Sequence, residues 1–245
     1  MSRRKKPESI ESDQNPFALS TGDLMSGLMF IFVLLLVALM LQIQRQSEKT
    51  QSQIEDYNRI KQEIYVDLKK EFGKDTLKWN AKIDSAKLSI RFQKQSALFD
   101  YGKIELKNDF KEILNDFFPR YMKLITKEEY RNNIEEIRIE GHTDSRGSYE
   151  SNMELSQGRT RSILNYCLSI MPDTTVYTDS IPTSLADWAK LRITANGLSS
   201  SHLIFNQDKT ENFELSRRVE FRIRTNAESK MEEILKRLKS MQSKG

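Results

Sequence analysis

Two side chains of opposite charge, Asp144 and Arg159, could together bind a small ligand. Asp144 follows a stretch in which Ile137 and Ile139 alternate with polar residues as in a β-strand, and Arg159 lies on a segment with helical spacing. A carboxylate accepts hydrogen bonds from an ammonium group, and arginine binds a carboxylate through two parallel bonds. These residues predict a site for a ligand with both groups, to which helix-start amides near Asn152 add donors. The alternative is an ion pair within the fold.

A separate acid, Asp23, precedes a long apolar run. Residues 17–19, Phe-Ala-Leu, come before it, so a helix is expected to begin ahead of Asp23 and to carry the acid into the apolar layer. A carboxylate in lipid is costly unless it is paired, protonated or next to water, and such residues commonly serve ion or proton pathways. The alternative is that Ser20, Thr21 or Asp23 caps the helix.

The composition argues against several function classes. The 245 residues carry 39 basic and 35 acidic side chains, a net charge of +4, which does not indicate a nucleic-acid partner. The one cysteine, Cys167, rules out an internal disulfide, and the two histidines lie far apart in sequence. The sequence contains neither a phosphate-binding loop nor a nucleophile elbow. We therefore expect a non-enzymatic protein without cofactor or metal, with Cys167 in its core.

The apolar run predicts one membrane helix. Residues 24–41 are 18 residues without a charge, which as a helix cover about 27 Å, close to the thickness of the hydrocarbon layer. A signal peptide is the alternative, but no small-residue cleavage site follows the run. The basic residues 3–6 predict a cytoplasmic N-terminus. The rest of the chain is then expected outside the inner membrane, in a bacterial periplasm.

The remaining chain predicts an α+β fold. Strands are expected at residues 88–92, 137–140 and 219–223, with helices over 104–125, ended or kinked by Pro119, and around 163–168. A further strand fits residues 191–195, and residues 172–190 read as an insertion. The order β-α-β-α-β predicts a two-layer α/β sandwich.

Five segments are therefore expected. They are a cytoplasmic basic tail (1–16), a transmembrane helix (17–41), a helical linker or dimerisation segment (42–85), the α/β domain (86–226) and a C-terminal helix (227–245). Ile54, Tyr57, Ile64 and Leu68 recur at helical spacing, which favours pairing with a second copy. A solvated linker helix is the alternative.

The segment Ile139-Glu-Gly-His-Thr-Asp-Ser-Arg-Gly147, followed by Asn152, Leu155 and Arg159, resembles the OmpA-like peptidoglycan-binding domain. The later Arg217-Arg218-Val-Glu is similar to that family's last strand, although Ser216 replaces its usual asparagine. The resemblance implies that Asp144 and Arg159 bind diaminopimelate of uncrosslinked peptidoglycan. It implies wall residues and supporting residues as well. The wall residues are Thr143, Asn152 and Leu155, and the supporting residues are Gly141, His142, Gly147, Arg217 and Arg218, with His142 buried or in a turn.

The segment Thr21-Gly-Asp-Leu-Met-Ser-Gly-Leu-Met-Phe resembles the transmembrane helix of MotB-type stator subunits. Gly22 and Ser26 add a small-residue pair that lets helices approach closely. The resemblance implies that Asp23 carries the translocated ion, H⁺ or alternatively Na⁺. It also implies two copies of this chain inside a ring of MotA-like or ZorA-like subunits.

In its length, its brief N-terminal segment and the loose fit of its span to flagellar sequences, the chain resembles the B subunit of the Zorya anti-phage defence system at least as well as a flagellar stator. A passive peptidoglycan tether is a further alternative, for which Asp23 would have no use. A peptidoglycan-acting enzyme is a third reading, and the sequence shows no nucleophile–base pair or metal set to support it.

Overall fold

The longest element is one helix that contains both the apolar run and the segment after it. The computed structural model describes residues 16–93, 95–178, 181–226, 228–229, 231–232 and 236. Helix α1 runs over Pro16–Phe72, which is 57 residues, so it begins ahead of Asp23 as expected. The chain forms two compact units, Met1–Gln53 and Ile54–Gly245, and α1 contributes to both.

The second unit alternates strands and helices in the predicted order, with additional short elements. Its strands are β1 (Ala81–Asp84), β2 (Ser89–Phe92), β3 (Ile134–His142), β4 (Thr175–Thr178), β5 (Ile181–Ser184), β6 (Ile193–Gly197) and β7 (Arg218–Thr225). Its further helices are α2 (Gln95–Leu98), α3 (Asn108–Ile125), α4 (Glu128–Arg131), α5 (Tyr149–Ser169), α6 (Leu185–Lys190) and α7 (Phe213–Ser216).

Five strands form one mixed sheet in the order β1-β2-β7-β3-β6. The first four are antiparallel neighbours, and β3 runs parallel to β6. Ile139 pairs with Phe221 and Glu140 with Glu220, so one face of the sheet is apolar and the other is charged. Strands β4 and β5 form a separate hairpin.

The apolar face of the sheet packs against α3 and α5, which confirms the two-layer sandwich. Phe117 of α3 is fully buried, and its ring lies 5.0 Å from that of Phe221 in β7. Helix α5 contributes Ile163 and Cys167, both fully buried. Burial of each large apolar side chain contributes about 1.5–3 kcal/mol. Cys167 is therefore a core residue, as predicted.

The C-terminal part of α1 also belongs to this core. Ile64, Leu68 and Phe72 are fully buried, and the Phe72 ring lies 5.3 Å from that of Phe117. At Ile64 and Leu68 the apolar stripe is therefore covered within the chain, whereas the sequence favoured pairing with a second copy. Together with the unpredicted strand β1, this moves the start of the outer unit from residue 86 to Ile54.

An arginine of α3 fixes the end of α1. Arg120 donates from Nε to Oε1 of Glu71 at 2.8 Å and from Nη2 to the Glu71 carbonyl at 2.9 Å. Nη2 also reaches Oδ2 of Asp75 at 3.1 Å, and the guanidinium lies 5.0 Å from the Phe72 ring. These contacts hold α1 against α3 where α1 ends.

Three further predictions concern Pro119, residues 172–190 and the C-terminal helix. Helix α3 continues past Pro119 to Ile125, because the fully buried Phe118 and Tyr121 on either side outweigh the lost backbone hydrogen bond. Residues 172–190 contain the β4–β5 hairpin and α6, which buries Trp188. Most of the predicted C-terminal helix, 227–245, lies outside the described residues.

The charged face of the sheet carries a buried ion network. Glu220 is fully buried and accepts hydrogen bonds from Arg91 at 3.0 Å, Arg218 at 2.6 Å and Ser89 at 3.0 Å. Burial alone would raise the pKa of Glu220, but the two arginines lower it to about 2. The network therefore fixes β2 against β7.

Candidate functional site

The predicted binding residues line one cleft of about 530 Å³. The cleft lies between the loop that joins β3 to α5 and the loop that joins α2 to α3. The structure brings together five residues predicted from the sequence to contact ligand, and adds Arg217, which directly precedes β7. The five are Thr143, Asp144, Asn152, Leu155 and Arg159.

Asp144 is buried in the cleft wall and binds two arginines. Its side chain is 7% exposed, and Oδ2 accepts from Nη1 of Arg217 at 2.6 Å. The same oxygen accepts from Nε and Nη2 of Arg146 at 3.0 and 2.6 Å, and Oδ1 accepts from the Arg146 backbone N–H at 3.1 Å. Burial alone would raise the pKa of Asp144, but these hydrogen bonds outweigh it and lower the pKa below its usual value. Asp144 is therefore an anion at neutral pH.

Arg159 is equally buried and has no carboxylate partner among the described residues. Its Nε donates to the Lys103 carbonyl at 2.9 Å and its Nη2 to the Asp100 carbonyl at 3.3 Å. The guanidinium stacks 4.8 Å from the Phe99 ring. Burial lowers the pKa of Arg159 to about 10, which leaves it charged at neutral pH. The ion pair with Asp144, an alternative left open by the sequence, is therefore not formed.

Arg217, which precedes β7, and Arg218, which is its first residue, stabilise different parts of the domain. Arg217 lines the cleft and binds Asp144. Arg218 is buried and donates to Glu220 at 2.6 Å and to the His202 carbonyl at 3.1 Å. Both were predicted as supporting residues. Arg217 supports the cleft directly, whereas Arg218 supports the sheet.

Asn152 fastens the loop that carries Asp144. Its Nδ2 donates to the backbone carbonyls of Asp144 at 3.2 Å and Arg146 at 2.9 Å. The backbone N–H groups at the start of α5 are less available to a ligand than expected. The N–H of Ser151 donates to Oγ of Ser148 at 3.1 Å, and the N–H of Asn152 donates to the Ser148 carbonyl at 3.0 Å. Asn152 therefore positions the site as well as lining it.

Thr143 and Leu155 complete the predicted wall. Thr143 is buried, and within the described part of the chain its Oγ1 has no hydrogen-bond partner. Leu155 is half-buried and adds an apolar surface. Thr143 and Leu155 therefore add a hydroxyl-bearing and an apolar side chain to a wall that Ser96, Phe99 and Tyr101 also line.

Glycine is required at Gly141 and Gly147, the two predicted supporting glycines, for different structural reasons. A Cβ on Gly141 would lie 2.7 Å from Cγ2 of Thr160 and 3.1 Å from the Ser156 carbonyl oxygen, so β3 and α5 approach closely at this point. Gly147 has φ +89°, a conformation that glycine adopts without strain. Both fix the path of the chain around Asp144.

His142 is a buried strand residue outside this cleft. Its Nε2 lies 3.8 Å from Oε1 of Glu220 and 3.9 Å from Oε2 of Glu140, and neither ring nitrogen has a hydrogen-bond partner in the described residues. Burial, with repulsion from Arg218, lowers the pKa of His142 to about 3. His142 is therefore neutral at pH 7 and is buried rather than placed in a turn.

Arg146 is a site residue that was not predicted from the sequence, as are Phe99 and Asp100. Besides binding Asp144, its guanidinium lies 4.8 Å from the ring of Phe213 in α7. The available signal was an arginine two residues after the acid, in a turn that Gly147 closes. The contact with Phe213 joins positions distant in sequence, which spacing does not predict.

The first unit carries the second predicted site. Asp23 lies in α1 after its start at Pro16, so the helix-cap alternative is wrong. Within α1, the candidate span Leu24–Ser52 is 29 residues long and contains an 18-residue window with a mean hydropathy of 2.9, so it is long and apolar enough to cross a membrane. Its large apolar side chains are exposed, Met40 by 73% for example. They require lipid or another protein to cover them.

The fold and the cleft define the second unit as an OmpA-like domain, and residues 98–217 match the OmpA family. The fold is similar to that of a MotB-like protein from Desulfovibrio vulgaris, with 22% identity and a TM-score of 0.47 over 69% of this chain and 96% of the other. The periplasmic domain of Helicobacter pylori MotB matches with 19% identity and a TM-score of 0.39, over 60% of this chain and 83% of that domain.

Two relatives match over most of their length. The Zorya protein ZorB of Escherichia coli strain Crooks is 38% identical over 233 residues, 92% of this chain and 94% of that protein. The Zorya protein ZorB of Escherichia coli O139:H28 is 28% identical over 225 residues, 89% of this chain and 84% of that protein. The chain belongs to the ZorB family.

Proposed function

We propose that this chain is the wall-anchored, ion-carrying B subunit of an inner-membrane stator complex of a Zorya anti-phage defence system. The OmpA-like unit binds peptidoglycan, and α1 carries the ion at Asp23. Family membership supports the assignment to defence rather than to flagellar motility.

The observation that carries the proposal is the pair of unlike charges in one cleft. Asp144 is ionised there, and Arg159 is a charged guanidinium without a carboxylate partner in the described structure. Diaminopimelate in an uncrosslinked stem peptide ends in an ammonium and a carboxylate. Asp144 accepts from the ammonium, and the free N–H groups of Arg159 bind the carboxylate. Thr143, Asn152 and Leu155 form the wall around them.

The proposed role of the cleft is binding rather than catalysis. Arginine hydrogen bonds hold Asp144 ionised and lower its pKa below the usual value, which makes it a poor general base at neutral pH. Arg159 is fixed by two carbonyls and a ring. Such an arrangement stabilises a bound charge without requiring a proton to move.

The proposed membrane arrangement follows from α1 and the charge around it. The apolar segment crosses the inner membrane, the basic residues 3–6 keep the N-terminus in the cytoplasm, and the second unit lies in the periplasm. Two copies of this chain stand inside a ring of MotA-like or ZorA-like subunits. Asp23 binds and releases H⁺ there, although one carboxylate would also suit Na⁺. Moving one elementary charge down the membrane potential releases about 2.3 kcal/mol of free energy per 100 mV.

Retention on isolated sacculi tests the wall-binding part. The detergent-solubilised full chain is expected to sediment with sacculi, and Asp144→Ala or Arg159→Ala should weaken retention about tenfold or more, because each removes a charge-assisted contact. Arg159→Lys keeps the positive charge but cannot form two parallel hydrogen bonds, so its retention should lie between those of wild type and Arg159→Ala. Arg161→Ala is the matched control, since Arg161 is exposed on the same helix as Arg159.

Unchanged retention of folded Arg159→Ala would contradict the proposal. Far-ultraviolet circular dichroism of each variant separates loss of binding from loss of fold. A passive peptidoglycan tether would behave identically in this experiment, so substitution of Asp23 is needed to separate the two functions.

A further inference from the structure

The carboxylate of Asp144 is fully engaged by donors of this chain. A carboxylate offers about four acceptor positions. The Arg146 backbone N–H, Nε and Nη2 of Arg146 and Nη1 of Arg217 already donate to it. A ligand ammonium therefore has to displace one of these donors before it can bind Asp144.

The side chain of Arg146 is the donor best placed to leave. It is 63% exposed, whereas that of Arg217 is 24% exposed, so Arg146 regains water at little cost. The guanidinium of Arg146 lies 4.8 Å from the ring of Phe213, a residue that is 41% exposed. Arg146 can maintain this cation–π contact after it has left Asp144. Arg217 remains in place and continues to hold the carboxylate ionised.

We propose that Arg146 competes with the ligand's ammonium group for Asp144 and thereby lowers the affinity of the cleft for cationic ligands. This inference rests on the proposed peptidoglycan function. The side-chain amine of diaminopimelate is a cation in an uncrosslinked stem peptide and a neutral amide in a cross-linked one. An amide N–H cannot replace the charge of Arg146, so a cross-linked stem peptide leaves Arg146 bound to Asp144, and the competition acts on the ammonium form alone.

Two peptides and one substitution test the competition. The probes are L-Ala-γ-D-Glu-meso-diaminopimelate and the same peptide acetylated on its diaminopimelate amine, each titrated into the detergent-solubilised full chain. Arg146→Ala should bind the amine peptide about three- to fivefold more tightly, the range expected for loss of a partly exposed competing ion pair. Its affinity for the acetylated peptide should not change. Arg146→Lys should show a smaller gain, and Arg161→Ala, which removes an exposed charge elsewhere on the domain, should show none.

A weaker or unchanged affinity of Arg146→Ala for the amine peptide would overturn the inference, since Arg146 would then assist binding or play no part. An equal gain for both peptides would also overturn it, because the effect would not involve the ammonium. If the wild-type chain binds neither peptide, the proposed function fails and the inference fails with it. If binding depends on Arg159 but does not increase in Arg146→Ala, the inference alone fails.

Discussion

Asp144 and Arg159 line the same cleft without binding each other. The carboxylate is held by Arg146 and Arg217, and the guanidinium is held by the carbonyls of Lys103 and Asp100. Each charge is thus fixed in position by other groups, and Arg159 keeps donors for a ligand. A binding site for an ammonium and a carboxylate needs this separation, because a direct ion pair would use up both groups.

Loss of Arg217 should shift the pH dependence of ligand binding. The folded-state pKa of Asp144 lies below its ordinary value of 3.8, so the ionised form, and the stability it contributes, persist above that value and are lost as the pH falls through the lowered pKa. Arg217→Gln removes one of the hydrogen bonds that oppose burial and should raise this pKa. Binding of the diaminopimelate peptide should therefore decline at a higher pH in Arg217→Gln than in wild type.

Titration of both proteins with the same peptide between about pH 3 and pH 7 measures this shift. The peptide's own carboxyl groups titrate identically in both series and cancel in the comparison. Normalised curves that coincide would show that Arg217 does not control the ionisation of Asp144.

The close approach at Gly141 predicts a cost for any side chain there. Gly141→Ala places a Cβ 2.7 Å from Cγ2 of Thr160, so β3 and α5 must separate, at a cost of about 1–3 kcal/mol in the free energy of unfolding. Thr160→Ser removes that methyl group and keeps the hydroxyl that donates to Ser156 at 3.1 Å. Denaturant unfolding of the double variant should recover part of the loss. Additive losses in the double variant would be inconsistent with a steric cause.

The buried stripe of α1 predicts that this helix stabilises the OmpA-like unit. Leu68 is fully buried, whereas Val66 is 50% exposed on the same helix. Leu68→Ala should lower the free energy of unfolding by about 2–5 kcal/mol, while Val66→Ala should change it by less than about 0.5 kcal/mol. If instead Leu68→Ala left stability unchanged and weakened only self-association, the stripe would be a dimer interface.

Local sequence patterns were sufficient for strands β2, β3, β6 and β7, the two main helices and the cleft motif. Alternation around Ile139 and Phe221 places both residues on one sheet face, and helical spacing places Cys167 in the core. The partner of the Leu68 stripe was not predictable, because an amphipathic helix shows which face is buried but not what covers it. The bond between Asp144 and Arg217 likewise joins residues distant in sequence, and only the antiparallel pairing of β3 and β7 brings them together.

The proposed ion transport depends on the carboxyl group of Asp23. In cells that carry the complete defence system, Asp23→Asn should remove the exchangeable proton, while leaving α1 as apolar as before and the wall-binding cleft intact. Asp23→Glu is the matched control, since it retains an ionisable carboxyl group at the same helix position. Membrane fractionation and sacculus retention of each variant show whether the protein is inserted and anchored.

Ion transport through Asp23 is tested most directly by the efficiency of phage plating on cells that express wild type, Asp23→Asn or Asp23→Glu at equal levels. Asp23→Asn, although inserted and retained on sacculi, is expected to allow plating as efficient as on cells without the system, and Asp23→Glu is expected to keep at least part of the protection. Full protection by an inserted Asp23→Asn protein would contradict ion transport through this residue and would leave the chain as a passive anchor.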